Sequence, residues 1–140
     1  TADLESPLAD LHFDVQRIPL DDASFDAVIC NHLLEHVADD RQALRELHRV
    51  LRPGGWGILL SPVERDRERT YEDDTITDPD ERTRIFGQYD HRRIYGADYA
   101  DRLREAGFEA VDIDYAASLT ERQRRLYALP EDHIYVVYKR

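Results

Sequence analysis

The stretch FDAVICNHLLEHVADDRQALRELHRVLRPGGWGILLSPV, residues 25–63, decides how this chain folds. Its first seven residues, FDAVICN (25–31), form a nearly continuous apolar, β-branched run, which predicts a strand buried on both faces. Asp39 or Asp40 can cap a helix over RQALRELHRVL (41–51), with Ala43, Leu44, Leu47, Val50 and Leu51 on one face. RPGG (52–55) stops that helix, and WGILLSPV (56–63) predicts a second buried strand opened by Trp56. Strand, helix and strand joined by short turns are the repeating unit of an α/β sheet with mainly parallel strands.

The same alternation continues outward. LHFDV (11–15) predicts a short strand ending in Asp14, and IPLDDAS (18–24) a loop rich in turn formers. Residues 64–84 are dense in charge and poor in core candidates, which predicts a solvated lid or loop. IFGQYDHRRIYG (85–96) brings aromatics back, with Phe86, Tyr89, Tyr95 and Tyr99 able either to line an acceptor pocket or to build a small core. A helix over 97–107 should end at Gly107. FEAVDIDYA (108–116) and HIYVVYKR (133–140) read as strands, with a short helix near ERQRRLYAL between them. The expectation is one domain over 1–140 in which 64–96 is an exposed insertion or substrate cover.

Composition narrows the function. The chain has 140 residues, 41% hydrophobic and 35% charged, enough apolar content for one core beneath a very polar surface. Its net charge of −11 disfavours phosphate backbones, so no nucleic-acid partner is expected. Lys139 is the only lysine. Abundant acid with almost no lysine suits a salt-adapted, halophilic cytoplasm; arginine-favouring codons would explain the arginine but not the acid excess. Cys30, the single cysteine, excludes an internal disulfide, and no apolar run approaches the about 20 residues of a membrane span. A cytoplasmic location and no membrane partner are therefore expected.

The order of pieces in IPLDDASFDAVICNHLLEHVADDRQALRELHRVLRPGGWGILLSPV (18–63) resembles the class I S-adenosylmethionine-dependent methyltransferases of the type 11 group. REAGFEAV (104–111) continues the likeness. The resemblance implies a Rossmann-like α/β sheet with helices on both faces, mostly parallel with an antiparallel C-terminal strand. It implies an enzyme that moves a methyl group from S-adenosylmethionine to a small-molecule substrate. In open α/β sheets ligands lie beyond the carboxyl ends of the strands. By resemblance, Asp3 would accept from the ribose hydroxyls, Asp14 and the Val15 amide would hold the adenine edge, and Asn31 and His32 would flank the methionine part.

One piece of that family has no counterpart here. Its first strand leads into a glycine-rich cofactor turn, whereas Pro53-Gly54-Gly55-Trp56-Gly57 follows a helix and acts as a stop. The likeness thus implies that the N-terminal strand and helix, on the order of 30 residues, are missing from this stretch. An exposed gap between the third and fourth strands would follow, and such an edge invites a homodimer or strand exchange. The alternative function is accordingly a truncated, non-catalytic domain acting through association with another chain.

Within NHLLEHV (31–37), His32-x-x-Glu35-His36 also matches the inverted zinc-protease string. A zinc metallopeptidase would need both histidines inside a long helix, and VADD leaves room for barely two turns, so this reading is remote. Certain O-methyltransferases place Glu-x-x-Glu-His at the same turn around a divalent cation, with a later histidine. By that likeness His32, Glu35, His36 and His91 would bind the cation, zinc being favoured over magnesium by three histidines. Without a metal, His36 or His91 would be the general base.

Overall fold

The main helix forms where its cap allows. In the computed structural model, which describes residues 1–128 and 133–140, α1 spans Asp40–Val50 and the Asp39 side chain accepts from the Gln42 amide. Ala43, Leu44, Leu47 and Val50 recur at three- and four-residue spacing and are buried, so the apolar stripe lies on one face. α1 passes directly into β4 (Leu51–Leu60). RPGG therefore does more than stop a helix. It sits inside the strand as an irregularity, because Phe25 pairs with Leu51 and Ala27 already with Trp56. Regular pairing ends at Leu60, short of the expected residue 63, where Pro62 cannot donate to a ladder.

β3 (Phe25–Asn31) runs parallel to β4; β8 (Ile134–Tyr138) runs antiparallel to β4 and to β7 (Glu109–Ile113). The sheet order is β3-β4-β8-β7, three strands in one direction and the C-terminal one reversed. This is the mixed α/β, methyltransferase-like sheet that the resemblance implies. β1 (Ala2–Asp3) and β2 (Leu11–His12) form a separate parallel pair, only two residues each, much shorter than LHFDV suggests.

Strand register sorts the side chains into two faces. Val28, Cys30, Gly57, Leu59, Tyr135 and Val137 share one, where α1 and α3 (Tyr99–Glu105) pack in a single core with Leu103 and Phe108. Ile29, Trp56, Val111, Ile113 and Tyr138 share the other and are all exposed, Ile29 by 67% and Trp56 by 42%. Two expectations are thereby corrected. FDAVICN is buried on one face rather than both, and Trp56 is not core. α1 and α3 contribute their buried apolar side chains to that one core.

Gly57 sits where two strands press together. A Cβ there would meet Val28 Cγ2 at 2.7 Å, the Val28 carbonyl oxygen at 2.9 Å and Val137 Cγ2 at 3.1 Å. Only glycine fits without pushing the strands apart.

The charged stretch is more ordered than a solvated loop. It holds β5 (Tyr71–Glu72), paired antiparallel with β6 (Arg93–Ile94), and α2 (Pro79–Phe86), capped by Asp78. Residues 64–85 are exposed or half-buried, whereas Phe86, Arg93 and Tyr95 are buried. Tyr95 and Tyr99 are fully buried core, Phe86 stacks on Tyr71, and Tyr89 stays exposed. α4 (Glu121–Tyr127) opens with a Thr120–Gln123 capping box and buries nothing; the Leu129 end of its expected run lies outside the described residues. No helix among the described residues is long and apolar enough to cross a membrane.

Candidate functional site

β3 ends at Asn31 and delivers the chain into a tight turn over residues 32–38. His32 adopts a left-handed backbone (φ 52°), rare for a residue with a side chain, and its amide donates to the Leu60 carbonyl at 2.8 Å. The turn is held from beneath by one buried arginine. Arg93 donates to the carbonyls of Leu34 at 2.6 Å, Val37 at 2.8 Å and Ala38 at 2.9 Å, and to the Glu72 carboxylate at 3.0 Å. Three backbone acceptors that a turn leaves unpaired are thereby satisfied.

A second buried arginine locks this assembly to α1. Asp40, in the first turn of that helix, accepts from Arg102 at 2.8 Å and from the Tyr95 hydroxyl at 2.8 Å, with Arg93 at 3.9 Å. Arg102 reaches Glu72 at 3.0 Å as well. Burial alone would raise the Glu72 carboxyl, but hydrogen bonds from Arg102 and Arg93 outweigh it and hold the group below the usual carboxylate range. Neither arginine stands out in the sequence, because a buried arginine reads like any surface one.

Two cavities flank the 31–38 turn. The first, about 600 Å³, lies between the β1–β2 pair and the free edge of β3. Asp3, Asp14, Val15, Asn31 and His32 all line it. Its volume is in the range of small-molecule sites, roughly 300–1,000 Å³. The two carboxylates already have local partners: Asp3 Oδ1 accepts from the Glu5 and Ser6 amides, which hold its carboxyl low, and both Asp14 oxygens accept from Gln16. Asp3 retains Oδ2 for a ligand; Asp14 would have to exchange the flexible Gln16 amide for an adenine edge. Cys30 lies in the same wall, its thiol pushed up to about 12 by burial, so it is no nucleophile.

The second cavity, about 490 Å³, lies beyond the end of β4 under Phe86, lined by Pro62, Val63, Ile85 and Ile94, with Glu35 and His91 among its polar groups. Glu35 is 2% exposed and accepts from the Ser61 hydroxyl at 3.0 Å. Ligand atoms of Glu35, His36 and His91 all lie within 4.8 Å of one another. The structure thus brings together three of the four residues expected around a cation. His32 falls outside: its Nδ1 is 3.5 Å from Glu35 Oε1, but its side chain is 66% exposed on the first cavity's side. Residues 32–38 form a turn and no helix, so the geometry that a zinc peptidase string requires is not there.

Comparison with known proteins agrees with this fold. Residues 2–59 match the family model described as a methyltransferase domain. A Mycolicibacterium smegmatis protein named as an S-adenosylmethionine-dependent methyltransferase is 31% identical over 117 residues, covering 81% of this chain and 41% of the relative. An O-methyltransferase of Penicillium expansum is 29% identical over 110 residues, 76% of this chain and 37% of that protein. The chain therefore spans roughly two fifths of the length of these relatives. Among solved structures, the complex between the Haloferax volcanii Trm112 methyltransferase activator and a methyltransferase superposes with a TM-score of 0.59 at 19% identity, covering 95% of this chain and 63% of that one. Sequence match, sheet order and cavity position converge: the chain has a methyltransferase fold and is similar to the class I S-adenosylmethionine-dependent methyltransferases of the type 11 group.

Proposed function

We propose that the protein containing this chain transfers a methyl group from S-adenosylmethionine to a small-molecule acceptor, with the cofactor in the first cavity and the acceptor in the second. The observation that carries the reading is the convergence of Asp3, Asp14, Val15, Asn31 and His32, from three strand ends, on one cavity. S-adenosylmethionine would supply an electrophilic methyl on a sulfonium sulfur. The first cavity binds and orients: Asp3 suits a ribose diol, the Asp14–Val15 corner an adenine edge, and Asn31 with His32 the amino-acid end. The 31–38 turn separates the two cavities, so a methyl at that boundary would face an acceptor lying beneath Phe86.

Methyl transfer then needs alignment and an outlet for one proton. The cofactor would supply the methyl carbon, its sulfur leaving with the bonding electron pair, and the two cavities would align the acceptor atom on that carbon. The acceptor's proton passes to Nε2 of His91 or His36. A divalent cation at the Glu35 cluster is the alternative way to acidify a hydroxyl acceptor. The acidic surface, with its single lysine, supports a cytoplasmic and salt-adapted setting and a small acceptor in place of a nucleic acid.

A second reading has its own observation. The exposed Ile29 and Trp56 and the free edge of β3 fit a domain that works by pairing with another chain, whether a second copy or a different protein. The Haloferax volcanii neighbour is itself a complex with an activator protein, which supports that possibility at the level of fold.

The test is transfer of labelled methyl from S-adenosylmethionine to a panel of phenols, quinols and amines, comparing wild type with His91→Ala. A general base predicts a loss of about 10²–10⁴-fold in turnover with little change in cofactor affinity. Unchanged turnover in His91→Ala and in His36→Ala would remove both histidines from the chemistry.

A further inference from the structure

We infer that the second cavity takes an amine: Glu35, buried in its wall, binds the ammonium group of the acceptor and stabilises the positive charge that methylation leaves on nitrogen. The inference deepens the methyl-transfer reading and rests on it for the chemistry, whereas recognition of the ammonium stands on the cavity alone.

Charge and depth come first. Glu35 is 2% exposed and lines the cavity, and among the described residues no arginine or lysine pairs with it. Its Oε2 accepts from the Ser61 hydroxyl at 3.0 Å, while Oε1 has the largely exposed His32 ring at 3.5 Å, the outer limit of a hydrogen bond. A carboxylate taken out of water without a compensating positive charge is costly. An ammonium brings that charge together with N–H donors.

The other charged groups around the cavity are already committed. Arg93 donates to the Leu34, Val37 and Ala38 carbonyls and to Glu72. Arg84 is exposed and faces Glu81 at 3.5 Å, and Glu64, also exposed, accepts from Arg67 at 3.0 Å. Water and salt screen charges at such positions, and they do not screen Glu35 in the same way. Val63, Ile85, Phe86 and Ile94 supply the apolar wall. The site therefore fits a hydrophobic body that ends in a cationic nitrogen.

The sign of the charge separates nitrogen from oxygen. A hydroxyl acceptor gains negative charge as it loses its proton, and a neighbouring carboxylate opposes that gain. The Cys30 thiol shows the effect: burial first and the Glu35 charge second push it up to about 12. An amine gains positive charge instead, and a fixed carboxylate beside the nitrogen stabilises it more as transfer proceeds. The first proton of the ammonium leaves to His91. Its Nδ1 donates to the Phe86 carbonyl at 3.1 Å, which leaves the lone pair on Nε2 open. Ligand atoms of His91 and Glu35 lie within 4.8 Å of each other, near enough to serve one nitrogen between them. The freed lone pair then bonds the methyl carbon, with the carbon–sulfur pair left on sulfur, and the product is a methylated ammonium facing Glu35.

The experiment compares matched probes, benzylamine with benzyl alcohol and phenethylamine with phenethyl alcohol. Each is titrated calorimetrically into EDTA-treated protein without cofactor, then offered as acceptor with labelled S-adenosylmethionine. The amines should bind about 10–100-fold more tightly than the alcohols, and Glu35→Gln should erase that preference. His91→Gln should cut methyl transfer to the amines about 10²–10⁴-fold and leave their preferential binding in place. His133→Gln, whose ring sits between Asp112 and Asp114, should change neither. Circular dichroism on each variant establishes that it is folded, and the wild-type comparison needs no variant. Equal binding of amines and alcohols by folded wild type, or a preference that survives Glu35→Gln, overturns the ammonium site. Methyl transfer to alcohols or phenols and not to amines, or transfer that EDTA abolishes, also overturns it, in favour of an oxygen acceptor beside a bound cation. Amine binding that depends on Glu35, with no transfer to any acceptor, overturns the methyl-transfer reading and leaves the ammonium site standing.

Discussion

Replacing Asp40 with alanine should cost this fold about 3–4 kcal/mol, since breaking a buried charge pair by removing one partner costs about 3–5 kcal/mol. Asp40 is 3% exposed and is the shared acceptor of Arg102 and the Tyr95 hydroxyl, both at 2.8 Å. Its loss leaves two buried donors facing an apolar methyl. Glu72 still holds both Arg93 and Arg102 at 3.0 Å, which places the cost toward the lower end of that range. At about 2.1 cal/mol/K per residue, unfolding 140 residues carries roughly 0.29 kcal/mol/K, so each kcal/mol is worth about 3.4 °C. Asp40→Ala should therefore melt about 10–14 °C below wild type by circular dichroism, by the same conversion. Tyr95→Phe removes only one hydrogen bond to a charged group and should cost about 2 kcal/mol. The double variant should fall short of the sum of the two, because both single changes break the same contact. A melting point for Asp40→Ala within about 3 °C of wild type would refute the buried network as the clamp between α1 and the segment bearing His91.

Two further outcomes follow from the same structure. His48 has its pKa lowered, first by burial and then by the Lys139 charge, so the unfolded chain takes up the proton more readily than the folded one. Its contribution to stability is full above the ordinary histidine value of 6.5 and is lost as pH falls below it; the melting point should drop between about pH 7 and about pH 5.5, and His48→Gln should flatten that slope. Gly57→Ala places a Cβ against the Val28 backbone and should lower the urea midpoint at unchanged m, a loss of about 1–3 kcal/mol; an unchanged midpoint would mean the strands can part at no cost.

What the sequence discloses here is the part governed by local periodicity. The α1 stripe appears in the structure within one residue of where spacing puts it, because four apolar side chains and an aspartate cap act on one helix. The strands β3, β4, β7 and β8 are likewise visible as apolar β-branched runs. Burial is a different matter. Ile29 and Trp56 look like core by type, yet whether a sheet face is covered depends on what packs there, and among the described residues nothing does. The arginine clamp is invisible for the opposite reason: Arg93 and Arg102 are chemically identical to the half-buried Arg92 and the exposed Arg104 beside them, and only the tertiary path of the chain takes them inside. The candidate site divides the same way. The string His32-x-x-Glu35-His36 marks the turn, but the left-handed backbone at His32 turns that residue toward the first cavity, and the partner His91 enters from 55 residues beyond His36, oriented by the Phe86 carbonyl.

The account's central claim is that the first cavity receives S-adenosylmethionine, and the most direct measurement is calorimetric titration of S-adenosylhomocysteine into this 140-residue chain, with and without EDTA. The account predicts saturable one-to-one binding that Asp14→Ala weakens and that EDTA leaves in place, since the cation cluster lies across the 31–38 turn from the cavity. Binding unaffected by Asp14→Ala, or no binding in folded protein, would contradict it.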